Sequence, residues 1–261
     1  MKEIVVNDRT LPEAYHEAIA MLWANGEEVD CPAWDTTCVE AALTMIVKEP
    51  LTEPRISRLF PGSPYDLEKY REEMLDGILD FCIGRGWDYT YHNRMTHEHP
   101  MVMKDKSGVI YRSELDFAID ELKFDPYSRR AVIDLRNQAY DPYCYDPACL
   151  QHIQFMIRNG KLDMFVLFRS NDLFEATFMN AFALICLQER IAGEIGVEVG
   201  TYTHRANSCH VYAKDMEAFE GAYKRIDKEP LEDLVYYYKG DWDELMEQEK
   251  PRIAAFVEGL K

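Results

Sequence analysis

The sequence predicts an α+β fold in a single domain that spans residues 1–261. Segments with helical periodicity and shorter β-type segments are mixed along the chain. No internal repeat and no low-complexity linker divides it. Hydrophobic residues make up 47% of the 261 positions, which is enough for a sizeable core.

The N-terminal half contains two helices with clear boundaries. Residues 11–25 have apolar side chains at helical spacing, and Gly26 can end the helix. Residues 113–124 form a second predicted helix, since Ser113 is followed three positions later by Asp116, which is close to a capping box. The other predictions here are a β-strand at 39–47, an irregular loop at 53–64, a long amphipathic helix at 65–85 and a polar loop at 92–100.

The C-terminal half contains the most apolar segment of the chain, residues 171–195, which predicts a buried helix. Residues 229–261 are acidic and helical in places. The predicted strands are residues 131–135, 162–169, 197–204 and 208–213.

The net charge of -18 argues against binding nucleic acid through a broad basic face. A few arginines can still form a local pocket for a small anion. Seven cysteines without a CxxC spacing fit a reducing compartment. The first ten residues are polar, and apolar runs such as 181–187 are too short to span a bilayer, so we expect a cytoplasmic protein without membrane contact.

The most informative feature of the sequence is a cysteine, Cys149, that is followed by a series of polar residues. A free cysteine is usually a small buried hydrophobe, but a thiolate is stabilised by nearby positive charge. Cys149 is followed by Arg169-Ser170, Asp172, Asn180 and His210-Val211-Tyr212. Taken singly, these residues fit a polar surface or a structural hydrogen bond equally well. Together they are suited to hold an anionic pyrimidine nucleotide under a nucleophile.

In order and spacing, residues 125–215 resemble the thymidylate synthase family, which includes the pyrimidine nucleotide hydroxymethylases. The matching motifs are Asp125-Pro126-Tyr127-Ser128-Arg129-Arg130, Pro147-Ala148-Cys149, Gln154-Phe155, Arg169-Ser170-Asn171-Asp172, Asn180 and His210-Val211-Tyr212. About a third of the chain matches well. The resemblance implies a thymidylate synthase-like domain with a mixed β-sheet flanked by helices.

The resemblance also implies a mechanism. Cys149 would attack C6 of the pyrimidine, so that C5 becomes a carbon nucleophile and captures a one-carbon unit from 5,10-methylenetetrahydrofolate. Arg169 and Ser170 would hold the 5′-phosphate, because the planar guanidinium gives bidentate contacts. Arg129 and Arg130 would reach that phosphate from the other subunit, which implies a homodimer.

Further roles follow from the same resemblance. Asp172 would lie beside the base and the folate, and Asn180 would read the N3/position-4 edge of the base. His210 and Tyr212 would bind the sugar hydroxyls. The remaining candidates are Tyr91, near C5, and Glu72 or Glu73 as the catalytic glutamate, although a solvated helix face explains these glutamates equally well.

The chain departs from the family pattern in its N-terminal half. The family's phosphate-binding arginine, set in a glycine-rich loop, is missing, and the corresponding segment is Ala33-Trp34-Asp35-Thr36-Thr37. Arg55 and Arg58 are candidate substitutes. The tryptophan-bearing segment that walls off the folate is not recognisable.

Other departures bear on the product. A methyl product requires hydride delivery with water excluded, whereas a hydroxymethyl product requires water to enter. Asp146 stands where the family has an apolar residue, and residues 256–261 lack the family's short apolar tail. Leu150 replaces a histidine after the cysteine. A wetter site favours a hydroxymethylase.

The identity of the base rests on Asn180. Asparagine suits uracil, but an amide that turns over presents its oxygen to the amino group of cytosine. We therefore expect a cytidylate (CMP or dCMP) 5-hydroxymethylase, with a thymidylate synthase that methylates dUMP as the alternative. A catalytically silent nucleotide-binding relative would not need Cys149, and a metal site at His97-Glu98-His99 has no further ligands nearby in the sequence.

Overall fold

The computed structural model describes residues 1–103 and 107–261. The strands are β1 (Glu3–Asp8), β2 (Glu27–Cys31), β3 (Thr36–Val47), β4 (Ile56–Ser57), β5 (His99–Val102), β6 (Val109–Arg112), β7 (Val132–Asp134), β8 (Leu150–Arg158), β9 (Lys161–Phe168), β10 (Asn171–Asp172), β11 (Glu198–Tyr212) and β12 (Val235–Tyr236). The helices are α1 (Leu11–Asn25), α2 (Pro64–Asp76), α3 (Tyr91–Thr96), α4 (Glu114–Phe124), α5 (Phe178–Ile195), α6 (Met216–Lys228) and α7 (Asp243–Leu260).

The main sheet contains eight strands in the order β1-β3-β11-β9-β8-β7, with β2 paired to β3 and β10 to β11. Strands β1 and β3 pair in parallel, as do β9 and β11, whereas β3–β11, β8–β9 and β7–β8 are antiparallel. The sheet is therefore mixed, and helices pack against it. This confirms the α+β class and the mixed sheet flanked by helices.

One face of the sheet carries the core. Along β9, every second side chain is buried, and Phe165 and Leu167 between them stay partly exposed. The buried side packs against α5 and α1, where the rings of Tyr15 and Phe178 lie 5.3 Å apart. Burial of such a side chain contributes about 1.5–3 kcal/mol. None of the helices in the described ranges could cross a membrane.

The amphipathic helix predicted at residues 65–85 is shorter than expected. Helix α2 ends at Asp76, because Gly77 adopts a left-handed conformation with φ of 64°. Directly after this turn, the Asp80 carboxylate accepts a hydrogen bond from the Thr90 hydroxyl and pairs with His92 Nδ1 at 2.7 Å. The amphipathic pattern extended past this glycine and hid the end of the helix.

The polar loop predicted at residues 92–100 is wrong. Thr90 caps α3 by accepting a hydrogen bond from the Asn93 N–H at 3.0 Å, and β5 begins at His99. Most side chains of this short helix are polar, so its single buried residue, Met95, produced no recognisable helical pattern in the sequence.

The prediction of a helix over residues 171–195 is correct only from Phe178 onward. Asn171 and Asp172 form β10, and residues 173–177 form a π-helical turn. The two strands predicted at 197–204 and 208–213 are one continuous strand, β11, with an irregularity between Ala206 and Cys209 in its pairing with β3. The predictions did not include β1, β2, β8 and α6.

Gly77 provides a test of this fold. A Cβ at Gly77 would overlap His92 Nδ1 and Asp80 Oδ2, whereas Gly196, also left-handed after a helix, has open space around it. Gly196→Ala should lower the free energy of unfolding by about 1–2 kcal/mol. Gly77→Ala should lower it by about 1–3 kcal/mol more. Urea denaturation of the two variants measures the difference, and equal losses would contradict the packing described for Gly77.

Candidate active site

Three strand ends meet at one edge of the sheet. Strand β8 runs antiparallel to β9, so the residue before β8, Cys149, lies beside the end of β9, where the Arg169 N–H donates to the Cys149 carbonyl at 2.8 Å. Strand β11 runs parallel to β9 and ends on the same side. The Ser208 N–H donates to the Arg169 carbonyl at 3.3 Å. Backbone pairing alone thus brings together Cys149, Arg169 and Ser208, which lie far apart in the chain.

A cavity of about 320 Å³ opens at this edge. Eight of the eleven site residues predicted from the sequence line it: Tyr91, Cys149, Arg169, Ser170, Asp172, Asn180, His210 and Tyr212. The other lining residues are Trp34, Tyr70, Asp146, Asn171, Ala176 and Met179. The structure therefore brings most of the predicted set into one cavity, while the role of each residue stays a prediction.

The half-buried thiol of Cys149 lies beside opposing charges. Burial raises the pKa of the Cys149 thiol above its ordinary value, Arg169 lowers it and Asp146 raises it again. The Arg169 side chain donates from Nε to the Ala148 carbonyl at 3.1 Å and from Nη2 to the Pro147 carbonyl at 2.5 Å. It also pairs with Asp146 Oδ1 at 3.3 Å. Arg169 thus fixes the segment that precedes the thiol.

Asp172 is held by the turn that follows it. Its Oδ1 accepts from the N–H groups of Phe174 at 3.0 Å and Glu175 at 2.9 Å. Burial raises the pKa of Asp172, and these backbone bonds and nearby His210 lower it. Burial also lowers the pKa of His210, whose ring lies 4.7 Å from that of Tyr212. The two rings are on the same side of β11, as expected for residues two apart on a strand.

Asn180 lies in the first turn of α5 and is 6% exposed. Its Oδ1 accepts a hydrogen bond from the Tyr70 hydroxyl of α2. Among residues 1–103 and 107–261, no acceptor is bonded to its Nδ2, although the residue lines the cavity. A donor is therefore available to a ligand.

Tyr91 is the first residue of α3, and its hydroxyl accepts from the Leu150 N–H at 3.2 Å. Burial raises the pKa of Tyr91 well above its ordinary value. The phenol therefore stays neutral beside the thiol.

Glu72 is not brought to the cavity. Successive residues of a helix are roughly 100° apart, so Glu72 is about 200° around α2 from the cavity-lining Tyr70. Its pKa is raised by burial and by Glu68, and lowered by Arg71 and Lys250, which places it among charges on the other face of α2. The expectation that Glu72 lies in the site is therefore not met, because Glu72 is on the side of α2 that faces away from the cavity. Glu73 does not line the cavity either.

Arg129 and Arg130 also lie outside this cavity. Both are exposed, and Arg130 Nη1 is 3.9 Å from Glu121 Oε1. The sequence analysis placed them in the partner's site, so their position in one chain does not test that prediction.

Tyr70 and Trp34 were missed as site residues. Tyr70 shares the apolar face of α2 with buried Leu67 and Met74, and this spacing was the available signal. Trp34 belongs to a short helical turn after β2, in the segment that lacks the family's arginine. Arg55 and Arg58 do not replace that arginine.

The two arginines lie elsewhere. Arg55 is buried under the ring of Tyr238, 4.7 Å from its centroid, and Arg58 lies 4.2 Å from the ring centroid of Tyr236. Neither lines the cavity.

A second cavity of about 640 Å³ adjoins the first. The two share Trp34, Asp146, Asp172 and Tyr212, and the second cavity adds Thr36, Glu175 and Lys214. Because the two cavities share these residues, ligands bound in them can lie next to each other.

The histidines at 97 and 99 lie outside both cavities, with ring centroids 5.2 Å apart. Within the described ranges, no group of three or more His, Cys, Asp or Glu side chains is arranged to hold a metal ion.

Residues 83–246 match the family model described as thymidylate synthase. The chain belongs to the thymidylate synthase family. A relative named "Putative thymidylate synthase" from Methanocaldococcus jannaschii is 32% identical over 217 residues, which are 80% of this chain and 90% of that protein. Membership supports one-carbon transfer in pyrimidine nucleotide biosynthesis as the general activity, and the family normally uses methylenetetrahydrofolate.

Two further family members extend the comparison. The deoxyuridylate hydroxymethyltransferase of Bacillus phage SP01 is 37% identical over 120 residues, 44% of this chain and 31% of that protein. The solved structure of thermostable thymidylate synthase A from Bacillus subtilis superposes with a TM-score of 0.67 at 19% identity and covers 82% of this chain and 84% of that one. The structural likeness shows that the fold is shared.

The charges around Cys149 predict a pH effect. Asp146→Asn removes a negative charge that disfavours the thiolate and also frees Arg169, so the alkylation of Cys149 should reach half its maximal rate at a lower pH. Peptide mass spectrometry of iodoacetamide-treated protein measures this rate at each pH. Asp134→Asn, an exposed carboxylate paired with His152, is the control and should leave the profile in place. A midpoint that stays or rises in Asp146→Asn would refute this account of the thiol.

Proposed function

We propose that the chain, as a single catalytic domain over residues 1–261, transfers a one-carbon unit to C5 of a pyrimidine nucleoside monophosphate. The proposed substrate is cytidylate, as CMP or dCMP, and the proposed product is its 5-hydroxymethyl derivative. The observation that carries this proposal is the convergence of the Cys149 thiol, the Arg169 guanidinium and the Asn180 amide on one cavity.

The cavity offers a separate contact for each part of a nucleotide. Arg169 and Ser170 supply a cation and a hydroxyl for the 5′-phosphate. His210 and Tyr212 lie side by side at the end of β11, where they can bond the sugar hydroxyls. Asn180 reaches the cavity from α5 and bonds the edge of the base.

Cys149 supplies the chemistry. Its thiolate adds to C6, forming an S–C6 bond, and the electron pair of the C5–C6 double bond moves to C5. That pair forms the bond from C5 to the one-carbon unit. When C5 then loses its proton, the electron pair of the C5–H bond re-forms the C5–C6 double bond, and the thiolate leaves with the electron pair of the S–C6 bond. Water would supply the hydroxyl of the product, and the folate nitrogen would leave the one-carbon unit with its bonding pair. Tyr91, neutral and beside Cys149, would lie near C5, and Arg169 stabilises the charged form of the thiol.

The second cavity fits methylenetetrahydrofolate, which supplies the one-carbon unit when bound. Trp34 and Tyr212 offer aromatic faces for a flat heterocycle, and the Asp172 carboxylate can accept from its N–H groups. Lys214 offers a cation for the carboxylates of a glutamate tail. These four residues would hold and orient the folate against the nucleotide.

Asp146 supports the hydroxymethyl product. Its side chain is 60% exposed and lies on the wall that the two cavities share. A carboxylate at this wall hydrates the place where the one-carbon unit is attached, so that water rather than hydride completes the reaction. The phage relative, by its name, is also a hydroxymethyltransferase.

Methylation of dUMP to dTMP is the second candidate. The relatives with the broadest coverage are named putative thymidylate synthases, and the phage relative acts, by its name, on a uracil nucleotide. A uracil base also fits an asparagine at position 180, provided that its amide is turned to place the NH2 at O4.

A homodimer would complete the phosphate site. Phe165, Leu167 and Met156 are partly exposed on the sheet face opposite the core, among polar residues of β8, and a second copy of the chain can cover them. Arg129 and Arg130 are exposed, so they can reach the cavity of a second copy of the chain. Each cavity would then contain Arg169 from its own chain and these two arginines from the other.

The product distinguishes the two candidate functions. The protein should convert CMP or dCMP, with methylenetetrahydrofolate, into a product heavier than the methyl derivative by one oxygen, as mass spectrometry shows. Tetrahydrofolate should be released, because no hydride leaves the folate. Cys149→Ala should abolish turnover and exchange of the C5 hydrogen while nucleotide binding remains.

An ultraviolet rise from dihydrofolate in step with product would instead identify a methylase, and the interpretation of Asp146 would then be wrong. Substantial turnover by Cys149→Ala would remove the thiol from the mechanism.

Subunit mixing tests the dimer. Cys149→Ala and the double variant Arg129→Ala/Arg130→Ala should each be inactive, but a hybrid dimer has one site with every part. Random exchange should restore roughly a quarter of wild-type activity. The control mixes Cys149→Ala with His210→Ala, which lies in the same cavity as its own Cys149, so both hybrid sites stay broken. No rescue after verified exchange would contradict the shared site.

A further inference from the structure

Tyr70 is a half-buried phenol whose partner is the amide of a cavity-lining residue. It lies on α2, lines the cavity, and donates its hydroxyl hydrogen to Asn180 Oδ1. Burial, followed by Glu73, raises the pKa of Tyr70 well above its ordinary value, so the hydroxyl keeps its proton. Asn180 therefore holds its oxygen toward Tyr70 and its NH2 away from it.

Turning the amide over would have a cost. The NH2 would then face the phenol, and the phenol proton would lose its acceptor, since Asn180 Oδ1 is its acceptor within the described ranges. A buried donor without a partner costs about 1–3 kcal/mol. Tyr70 thus favours one of the two orientations of Asn180 before any ligand binds.

The position of Tyr70 indicates which edge of the base meets the amide oxygen. Tyr70, Cys149 and Tyr91 lie close together in the cavity, since Cys149 raises the pKa of Tyr70 and Tyr70 raises the pKa of Tyr91. His210 and Tyr212, whose rings are 4.7 Å apart, are the residues that the proposed function assigns to the sugar. With C6 over the thiol and N1 toward the sugar, the Tyr70 side corresponds to C5 and the group at C4. The oxygen of Asn180 then faces the C4 substituent, and its NH2 faces N3.

This pattern matches cytosine. Cytosine presents an amino donor at C4 and an acceptor lone pair at N3, whereas uracil presents a carbonyl at C4 and an N–H at N3. In the orientation that Tyr70 favours, uracil would place acceptor against acceptor and donor against donor. We infer that Tyr70 is a specificity-determining residue, which positions the Asn180 amide for cytosine. This inference rests on the proposed nucleotide site.

The test is the ratio of CMP to UMP affinity, measured by calorimetry without folate. Wild-type protein should bind CMP more tightly than UMP. Tyr70→Phe should lower that preference about tenfold, a factor that corresponds to about 1.4 kcal/mol. A merely structural role would weaken both nucleotides alike and leave the ratio unchanged. Tyr89→Phe removes a neighbouring hydroxyl 5.6 Å, ring to ring, from Tyr91 and should leave the ratio unchanged.

A second variant isolates the orienting effect. Asn180→Asp presents oxygens only and needs no orientation, so adding Tyr70→Phe to it should not change the ratio further. The inference is overturned if wild type prefers UMP, if Tyr70→Phe keeps the wild-type ratio, or if the substitution acts equally in the Asn180→Asp background. Absence of binding by either nucleotide would overturn the proposed function itself, whereas binding with a constant ratio would overturn the role of Tyr70 alone.

Discussion

The pairing of β8, β9 and β11 is the constraint on which the site depends. Because β9 is antiparallel to β8 and parallel to β11, one strand's start and two strands' ends lie at the same edge. The backbone bond from Arg169 to the Cys149 carbonyl then fixes a cation beside a thiol without help from side-chain contacts. The side-chain bonds of Arg169 to residues 147 and 148 add rigidity to a geometry that the sheet has already set.

The difference between geometry set by the sheet and geometry set by side chains explains how much of the site could be predicted from the sequence. Residues next to strand ends, such as Cys149, Arg169 and His210, were predicted because their spacing reflects strand lengths that the fold requires. Tyr70 lines the cavity and Glu72 does not, and the sequence could not distinguish them, because the choice depends on the rotation of α2 about its axis. A helix surrounded by charged residues gives a weak hydrophobic signal for that rotation.

The predictions of helices and strands show a similar contrast between local signals and long-range pairing. Helix α1 was predicted within its observed bounds, since its apolar spacing and Gly26 are both local features. Strand β8 was missed because its outward positions carry glutamine, histidine and arginine, which hide the buried alternation. The beginning of the buried segment at Asn171 was mistaken for helix, because its pairing partner, Cys209, is far away in the sequence.

The left-handed turn at Gly77 has a consequence for how the site can change. It joins α2 to the Asp80–His92 pair, and hence Tyr70 to Tyr91, within a segment of some twenty residues. The cavity wall formed by Arg169, Ser170 and His210 is instead built by the strand ends of the sheet. These two walls therefore belong to different structural units. Under the proposed function, a change in the local stretch from α2 to α3 would alter the surroundings of the Asn180 amide without disturbing the strand ends that carry the phosphate contacts.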